Sequence, residues 1–181
     1  MGYISELRTL VGHRPLLMVG AGIIFLDERN RALLFRREDN GLWSITGGAL
    51  EPGETVEETA RREAFEETGL AAGDLELLGV FSGPESFHTY PNGDQVYNVT
   101  IVYLSRLPRG EMRFLDGEVT EVGTFSAQDL PGEISPPDRP ILQAYVHWLE
   151  DGGNHGRGKS KSQPRPGADT VGSSRGGAPG V

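Results

Sequence analysis

Cysteine is absent from this chain of 181 residues. Its absence excludes disulfide bonds, zinc sites built on thiolates and a cysteine nucleophile. Apolar runs are also short, because none reaches the roughly 20 residues that a membrane-spanning helix requires. The first residues lack the charged and then apolar pattern of a signal peptide. We therefore expect a protein with no membrane contact and a cytoplasmic location.

Large apolar side chains are scarce in residues 151–181, where Gly, Ser, Pro and Arg dominate. Such a segment buries too little surface to fold alone, so we predict a disordered tail. It holds five of the 17 basic residues and two of the 26 acidic ones, which leaves 12 and 24 in residues 1–150. We predict that these residues form one domain, in which 1–15 are an N-terminal helix and lead-in. Its net charge of −12 would repel nucleic acid, so we expect no stable nucleic-acid partner.

Hydrophobic periodicity predicts a mixed α/β domain. Helices are expected at 3–11, 56–68 and 141–150, and strands at 16–26, 31–37, 42–46, 75–81, 95–104 and 122–125. The first two strands resemble a hairpin, and residues 82–94 a loop or loose hairpin. Short strands interrupted by helices indicate a mixed sheet between helical layers.

Local signals fix several boundaries within this pattern. Ser5 is the expected N-cap of the first helix. Thr55 and Glu58 match a capping box at the start of the second helix, and Gly69 is its expected stop. Gly20 and Gly22 lower the stability of the first strand and indicate a close approach of another backbone.

Three carboxylates share one face of the second predicted helix. Glu63, Glu66 and Glu67 are spaced by three and four residues and fall within an arc of roughly 100°. Like charges at this spacing repel one another, so a cation is expected nearby. Carboxylate oxygens suit hard divalent ions, which favours Mg²⁺ or Mn²⁺. The alternative from these residues alone is a solvated acidic face.

The segment from Gly48 to Leu70 carries a more specific pattern. Gly48 is followed at fixed spacings by Glu54, Arg62-Glu63, Glu66-Glu67 and Gly69-Leu70. This arrangement resembles the Nudix box, and Ala64 is the one small residue at an aliphatic position. The similarity covers about residues 16–149 and identifies the chain as a relative of the Nudix hydrolases. It implies an α/β/α sandwich with a mixed sheet.

The resemblance also implies hydrolysis of a phosphoanhydride bond by a water that a bound metal ion activates. The implied metal ligands are Gly47 through its carbonyl, Glu63, Glu66, Glu67 and, from a later loop, Glu118, for which Asp116 and Glu121 are the alternatives. The implied general base is one glutamate of this set or one from outside the box, and Glu63 or Glu67 is favoured. Arg62 and Glu54 are expected to orient this carboxylate group.

Substrate contacts are less well defined by the sequence. Arg37 and Arg36 are candidates for clamping phosphates, with surface ion pairs as the alternative. Phe87 and Tyr90 lie in the 82–94 stretch and are candidates for contacting a base or sugar. Some ADP-ribose hydrolases carry a proline 15 or 16 residues past the box, whereas Pro84 lies 14 past Leu70.

The expected substrate is a small nucleotide, namely a nucleoside diphosphate linked to a nucleotide, ribose phosphate or similar group. A protein that senses a nucleotide without cleaving it is the alternative, which the intact box makes less favourable. An isopentenyl diphosphate isomerase on the same fold would require a cysteine, so it is set aside. A homodimer built on the N-terminal helix and first strand is left open.

Overall fold

The computed structural model describes residues 3–90, 92–114 and 119–153. Its helices and strands are α1 (Tyr3–Val11), β1 (Leu16–Leu26), β2 (Ala32–Arg37), β3 (Trp43–Ser44), β4 (Thr46–Ala49), α2 (Val56–Thr68), β5 (Glu76–Phe81), β6 (Phe87–Thr89), β7 (Gln95–Arg106), β8 (Val119–Phe125) and α3 (Arg139–Glu150). Short 3₁₀ turns lie at Pro84–Ser86 and Pro136–Asp138. No helix in this described part is long and apolar enough to cross a bilayer.

Within the described residues, eight strands form one mixed sheet around β1. Strand β1 pairs in parallel with β7 along its whole length and antiparallel with β4 over residues 20–23. Strands β5 and β6 pair with β7, while β3 and β8 pair with β2. The predicted hairpin is correct in direction, but β1 and β2 are paired at Leu26 and Ala32, next to the turn.

Two hydrophobic clusters lie on opposite faces of the sheet because successive strand residues point to opposite sides. Ile23 and Phe25 pack with Ala60 and Ala64 of α2. On the other face, α3 packs against the next residues of the same strands; its contacting side chains are Ile141, Leu142, Tyr145 and Trp148. The sheet therefore lies between helical layers, and the predicted α/β/α sandwich is confirmed.

The structure corrects several boundaries. The predicted strand 42–46 is two strands, because the chain changes partner at Ile45, leaving β2 and joining β1. Ser5 lies inside α1, which begins at Tyr3, so Ser5 as N-cap was wrong. Helix α3 begins before Ile141, at Arg139, since a proline is tolerated in the first turn of a helix. Strand β8 begins at Val119 instead of Val122.

Residues 82–94 contain β6, which pairs with the start of β7, so the loose hairpin was the better of the two expectations there. The tail prediction concerns residues 151–181, and all but the first three of these lie outside the described residues. The domain boundary at residue 150 stays a prediction.

Candidate active site

Helix α2 is fixed at both ends by its own sequence. The Thr55 hydroxyl accepts from the backbone N–H of Glu58, and the Glu58 carboxylate accepts from the backbone N–H of Thr55. Gly69 ends the helix at φ 71°, in the left-handed region that favours glycine, and its N–H donates to the Phe65 carbonyl. The predicted capping box and C-terminal stop are confirmed.

The strand before the helix lies unusually close to β1. A Cβ built at Gly20 would lie 2.7 Å from the carbonyl oxygen of Gly48. One built at Gly47 would lie 2.7 Å from the carbonyl oxygen of Ala21 and 2.8 Å from the Cα of Gly22. These distances are shorter than any normal non-bonded contact, so only glycine fits. The close approach predicted from Gly20 and Gly22 is confirmed.

Helix α2 brings two of its carboxylates to this glycine strand. The Glu63 carboxyl packs directly on Gly48, so that a Cβ at Gly48 would occupy the same space. The Glu67 carboxylate accepts from the backbone N–H of Gly47 at 3.2 Å. Each of the two acids therefore contacts one residue of the Gly47-Gly48 pair, which precedes the helix in the motif.

Arg62 connects the remaining acids of the motif. Its Nε and Nη2 donate to the two oxygens of Glu54 at 2.6 and 3.0 Å. Its Nη1 donates to Glu63 at 2.7 Å and to Glu66 at 3.1 Å. Its Nη2 also donates to the Ala49 carbonyl at 3.1 Å. One guanidinium therefore ties three carboxylates of the motif to the end of β4.

These contacts shift the pKa values in opposite directions. The Arg62 guanidinium lowers the pKa of Glu54 to about 2, assisted by the Glu51 N–H and the Thr59 hydroxyl. The same contacts raise the pKa of Arg62 above its ordinary value. Burial raises the pKa of Glu63, although Arg62 acts against that rise. Glu54 is consequently a fixed anion, whereas Glu63 is a carboxylate held partly out of water.

Whether these residues fit a metal ion depends on their chemistry and their present contacts. Glu63, Glu66 and Glu67 supply carboxylate oxygens beside the backbone of β4, and hard oxygen donors of this kind suit Mg²⁺ or Mn²⁺. In the described part of the chain, however, no group of three or more His, Asp or Glu side chains is arranged to hold an ion. Glu63 and Glu66 are instead bonded to Arg62.

The further metal ligand expected from a later loop is Glu118, with Asp116 and Glu121 as its alternatives. Glu118 and its alternative Asp116 lie outside the described residues. Glu121, the third candidate, accepts from Arg36 on the surface of β8 at 3.3 Å. Glu57 and Glu58 lie elsewhere on α2, where Glu57 accepts from the Tyr103 hydroxyl and Glu58 caps the helix.

A pocket opens beside Glu67. Its wall combines aromatic, aliphatic and polar side chains from β2, the β3–β4 segment and the chain near β8: Phe35, Arg37, Ser44, Ile45, Glu67, Phe114 and Val119. The rings of Phe35 and Phe114 meet edge to face with centroids 6.3 Å apart. This pocket adjoins the acidic helix face through Glu67 and carries a positive charge through Arg37.

The two arginines of β2 have different surroundings. Arg36 bonds Glu121, Glu133 and the Gly41 carbonyl, which matches the surface ion pairs considered for it. Arg37 bonds Asp39 at 3.0 Å and also lines the pocket beside Glu67. Of the two phosphate-clamp candidates, only Arg37 lies at the acidic site.

The aromatic candidates do not line the pocket beside Glu67. The Phe87 ring packs at a tilt against Tyr97 with centroids 4.9 Å apart, and the Tyr90 ring meets His88 edge to face at 4.6 Å. Both Phe87 and Tyr90 are about 40% exposed on the β6 hairpin.

Sequence reasoning missed Phe114 and Asp138. Burial raises the pKa of Asp138 to about 7, even though the Ile45 N–H and the charge of Arg37 lower it. Asp138 therefore lies against the same β3–β4 segment that lines the pocket. An Asp just before a helix is read as an N-cap, but Asp138 makes no capping bond, so that signal would have pointed to the wrong role.

Comparisons with known proteins agree with this geometry. The NUDIX domain family model matches residues 16–145. An ADP-ribose pyrophosphatase of Methanocaldococcus jannaschii is 33% identical over 126 residues, which cover 68% of this chain and 70% of that protein. The chain therefore belongs to the Nudix family and is a hydrolase of that family.

Two further proteins resemble this chain. A putative mutator protein MutT4 of Mycobacterium tuberculosis is 35% identical over 127 residues, covering 69% of this chain and 50% of that protein. A solved structure, a MutT NUDIX hydrolase from Burkholderia pseudomallei, is 29% identical with a TM-score of 0.61, covering 71% of this chain and 98% of that one. The chain spans only about half the length of the mycobacterial relative.

Proposed function

We propose that the chain is a pyrophosphohydrolase that cleaves the phosphoanhydride bond of a nucleoside diphosphate linked to a second group, with Mg²⁺ or Mn²⁺ as its cofactor. The observation that carries the proposal is the docking of Glu63 and Glu67 on the Gly47-Gly48 strand, beside a pocket that contains Arg37. The archaeal ADP-ribose pyrophosphatase supports this substrate class, with ADP-ribose as its first candidate.

The proposed cofactor would be held by Glu63, Glu66, Glu67 and the Gly47 carbonyl, with Glu118 as a further ligand. When bound, it neutralises charge on the phosphoryl oxygens and makes water a stronger acid. A carboxylate oxygen of Glu63 or Glu67 accepts the proton of the attacking water. Arg62 holds Glu63 and Glu66 in place while Glu54 keeps Arg62 oriented.

The substrate phosphates are proposed to bind at Arg37, since a guanidinium matches two phosphoryl oxygens at once. Asp138 extends this side of the site towards a second pocket, which lies between the end of β5 and the start of α3. Its lining residues are Val80, Phe81, Ser82, Pro84, Glu85, Ser86 and Pro140. The turn at Pro84–Ser86 packs on the turn that contains Asp138. We assign the nucleoside end of the substrate to the second pocket.

A substrate panel tests the proposal. The purified full chain would be incubated with Mg²⁺, with Mn²⁺ or with EDTA, and with ADP-ribose, 8-oxo-dGTP, the dNTPs, diadenosine polyphosphates and a nucleotide sugar. Phosphate release and chromatography would identify the products. We expect metal-dependent cleavage of one class well above the others, and ADP-ribose is expected to give AMP and ribose 5-phosphate.

The Glu67→Gln variant tests the residues. Removal of the charge should lower turnover by roughly 100-fold or more while leaving the circular dichroism spectrum unchanged. Glu57→Gln is the matched control on the same helix, because its amide oxygen can still accept from Tyr103. Near-normal turnover in Glu67→Gln would contradict its role. Tight binding of a nucleotide by the wild type, with no product after long incubation with metal, would favour a sensor instead.

A further inference from the structure

Ile45 lies at the point where the chain changes its strand partner. Trp43 and Ser44 pair with β2, whereas Thr46 and the residues after it pair with β1. Ile45 belongs to neither register, although the residues on both sides of it, Ser44 and Thr46, are buried. A backbone N–H in such surroundings needs a hydrogen-bond partner, because an unpaired one loses its bond to water and gains none in return.

Residues 133–138 run beside Ile45 and are bonded to the strand before it. The N–H of Trp43 donates to the Glu133 carbonyl, and the Trp43 carbonyl accepts from the Ser135 N–H, both at 2.8 Å. The N–H of Asp138 donates to the Ser135 carbonyl at 2.9 Å, which turns the chain just before α3 begins. This turn brings the Asp138 side chain next to Ile45.

The Asp138 carboxyl is the partner of the Ile45 N–H. It accepts from this N–H and from the Ser135 hydroxyl, and it makes no capping bond to α3. The burial that raises the pKa of this carboxyl disfavours its charged form, and the two bonds offset part of that cost. The side chain therefore holds the backbone at the change of strand instead of the start of the helix.

The backbone held in this way leads directly into the acidic site. Gly47 comes two residues after Ile45, and its N–H donates to Glu67 at 3.2 Å. Gly47 also lies in backbone contact with β1, so it cannot move there without losing that fit. Ser44 and Ile45 themselves form part of the pocket wall beside Glu67. A shift at Ile45 would consequently change both the pocket wall and the position of Gly47.

We propose that Asp138 is a positioning residue: by holding the Ile45 N–H, its carboxyl fixes the Gly47 backbone against Glu67. The inference rests on the proposed function, in which Gly47 and Glu67 are metal ligands. Asp138 acts through the backbone of Ile45 and is assigned no contact with the metal. The role requires an acceptor oxygen and not a charge, so asparagine should replace Asp138 and leucine should not.

The first test is amide hydrogen exchange of the full chain, followed by NMR without metal. In Asp138→Leu the amides of Ile45 and Gly47 should exchange roughly ten times faster or more, because both lose their fixed partners. The amide of Phe25, on the part of β1 that pairs with β7 and not with β4, should stay close to its wild-type rate. Asp138→Asn should keep all three rates near those of the wild type.

The second test is Mn²⁺ binding to the same proteins, measured by electron paramagnetic resonance. Asp138→Leu should raise the dissociation constant roughly tenfold, as the loss of a residue that orients metal ligands commonly does, and Asp138→Asn should leave it within about twofold. Asp129→Leu is the matched control. Asp129 is an exposed acid whose carboxylate accepts from Ser126, so its loss should change neither exchange nor Mn²⁺ binding.

Three results would overturn the proposal. They are an unchanged rate for Ile45 in Asp138→Leu, an equal acceleration at Phe25, and faster exchange at Ile45 and Gly47 with unaltered Mn²⁺ binding. A wild type that neither binds Mn²⁺ nor cleaves any substrate would contradict the proposed function instead, and the exchange rates would still decide the contact between Asp138 and Ile45.

The contact can also be tested in the wild type, should Asp138→Leu fail to fold. In an NMR titration the Ile45 amide proton should shift with the same midpoint as the Asp138 carboxyl carbon, because the N–H donates to the group that titrates. An Ile45 amide that does not respond while Asp138 titrates would overturn the proposal.

Discussion

Helices α1 and α2 are buried to extents opposite to those that their apolar content suggests. Helix α1 has apolar residues at regular helical spacing, yet none of its side chains is buried. Helix α2 is rich in Glu and Arg, yet it lies against the sheet and buries Ala60 and Ala64 completely. The close packing of α2 therefore follows from its small side chains and defined ends, more than from the number of large apolar residues.

Ala64→Leu gives the largest effect expected from this comparison. A leucine at a fully buried position forces α2 away from β1, which should lower the free energy of unfolding by about 3 kcal/mol. Urea unfolding would measure the change. Ala71→Leu, at an exposed position just after the helix, should stay within about 0.5 kcal/mol of the wild type. Equal stability of the two variants would show that α2 is not held close to the sheet.

Glu54→Gln is expected to cost somewhat less. The carboxylate accepts two bonds from Arg62 and one each from Glu51 and Thr59, so its loss should lower stability by about 2 kcal/mol at pH 7. Urea unfolding of both proteins at several pH values would measure this difference.

The same variant has a predicted pH dependence. The pKa of Glu54 is lowered from 4.5 to about 2, so the charged group stabilises the fold above pH 4.5. That contribution is lost as the pH falls from 4.5 through 2. The wild type and Glu54→Gln should therefore converge over this acidic range. A difference that stays constant from pH 7 to the acid limit would contradict the assigned cause.

The smallest effects compare the starts of the two helices. Thr55→Ala removes a side chain that caps α2 and should cost about 1 kcal/mol. Ser5→Ala, inside α1, should change stability by less than about 0.5 kcal/mol. Thermal unfolding of both variants would separate these values. A larger loss for Ser5→Ala than for Thr55→Ala would reverse the comparison.

Much of the fold could be predicted because its signals are local. The capping box at Thr55, the stop at Gly69 and the apolar run of β1 each depend on neighbouring residues. The switch at Ile45 could not be read in this way, because it depends on which strand is the partner. The exposure of α1 could not be predicted either, because periodicity identifies the apolar side of a helix but not what covers that side.

In the candidate site, too, the features that depend on local sequence could be predicted and those that depend on contacts between distant residues could not. The face shared by Glu63, Glu66 and Glu67 follows from helical spacing alone, and the motif placed it beside Gly47-Gly48. Arg62 was expected to orient the acids, but its simultaneous contact with three of them depends on distances in space. Asp138 and Phe114 reach the site from distant parts of the chain, so no local pattern identifies them.

The backbone contact between β1 and β4 has a consequence for engineering. The nearest atoms opposite Gly20, Gly22 and Gly47 are backbone atoms, so a smaller side chain on the facing strand would not make room for an added side chain at these positions. Efforts to change what the enzyme accepts must therefore treat this pair of strands as a fixed frame and redesign the pocket walls around it.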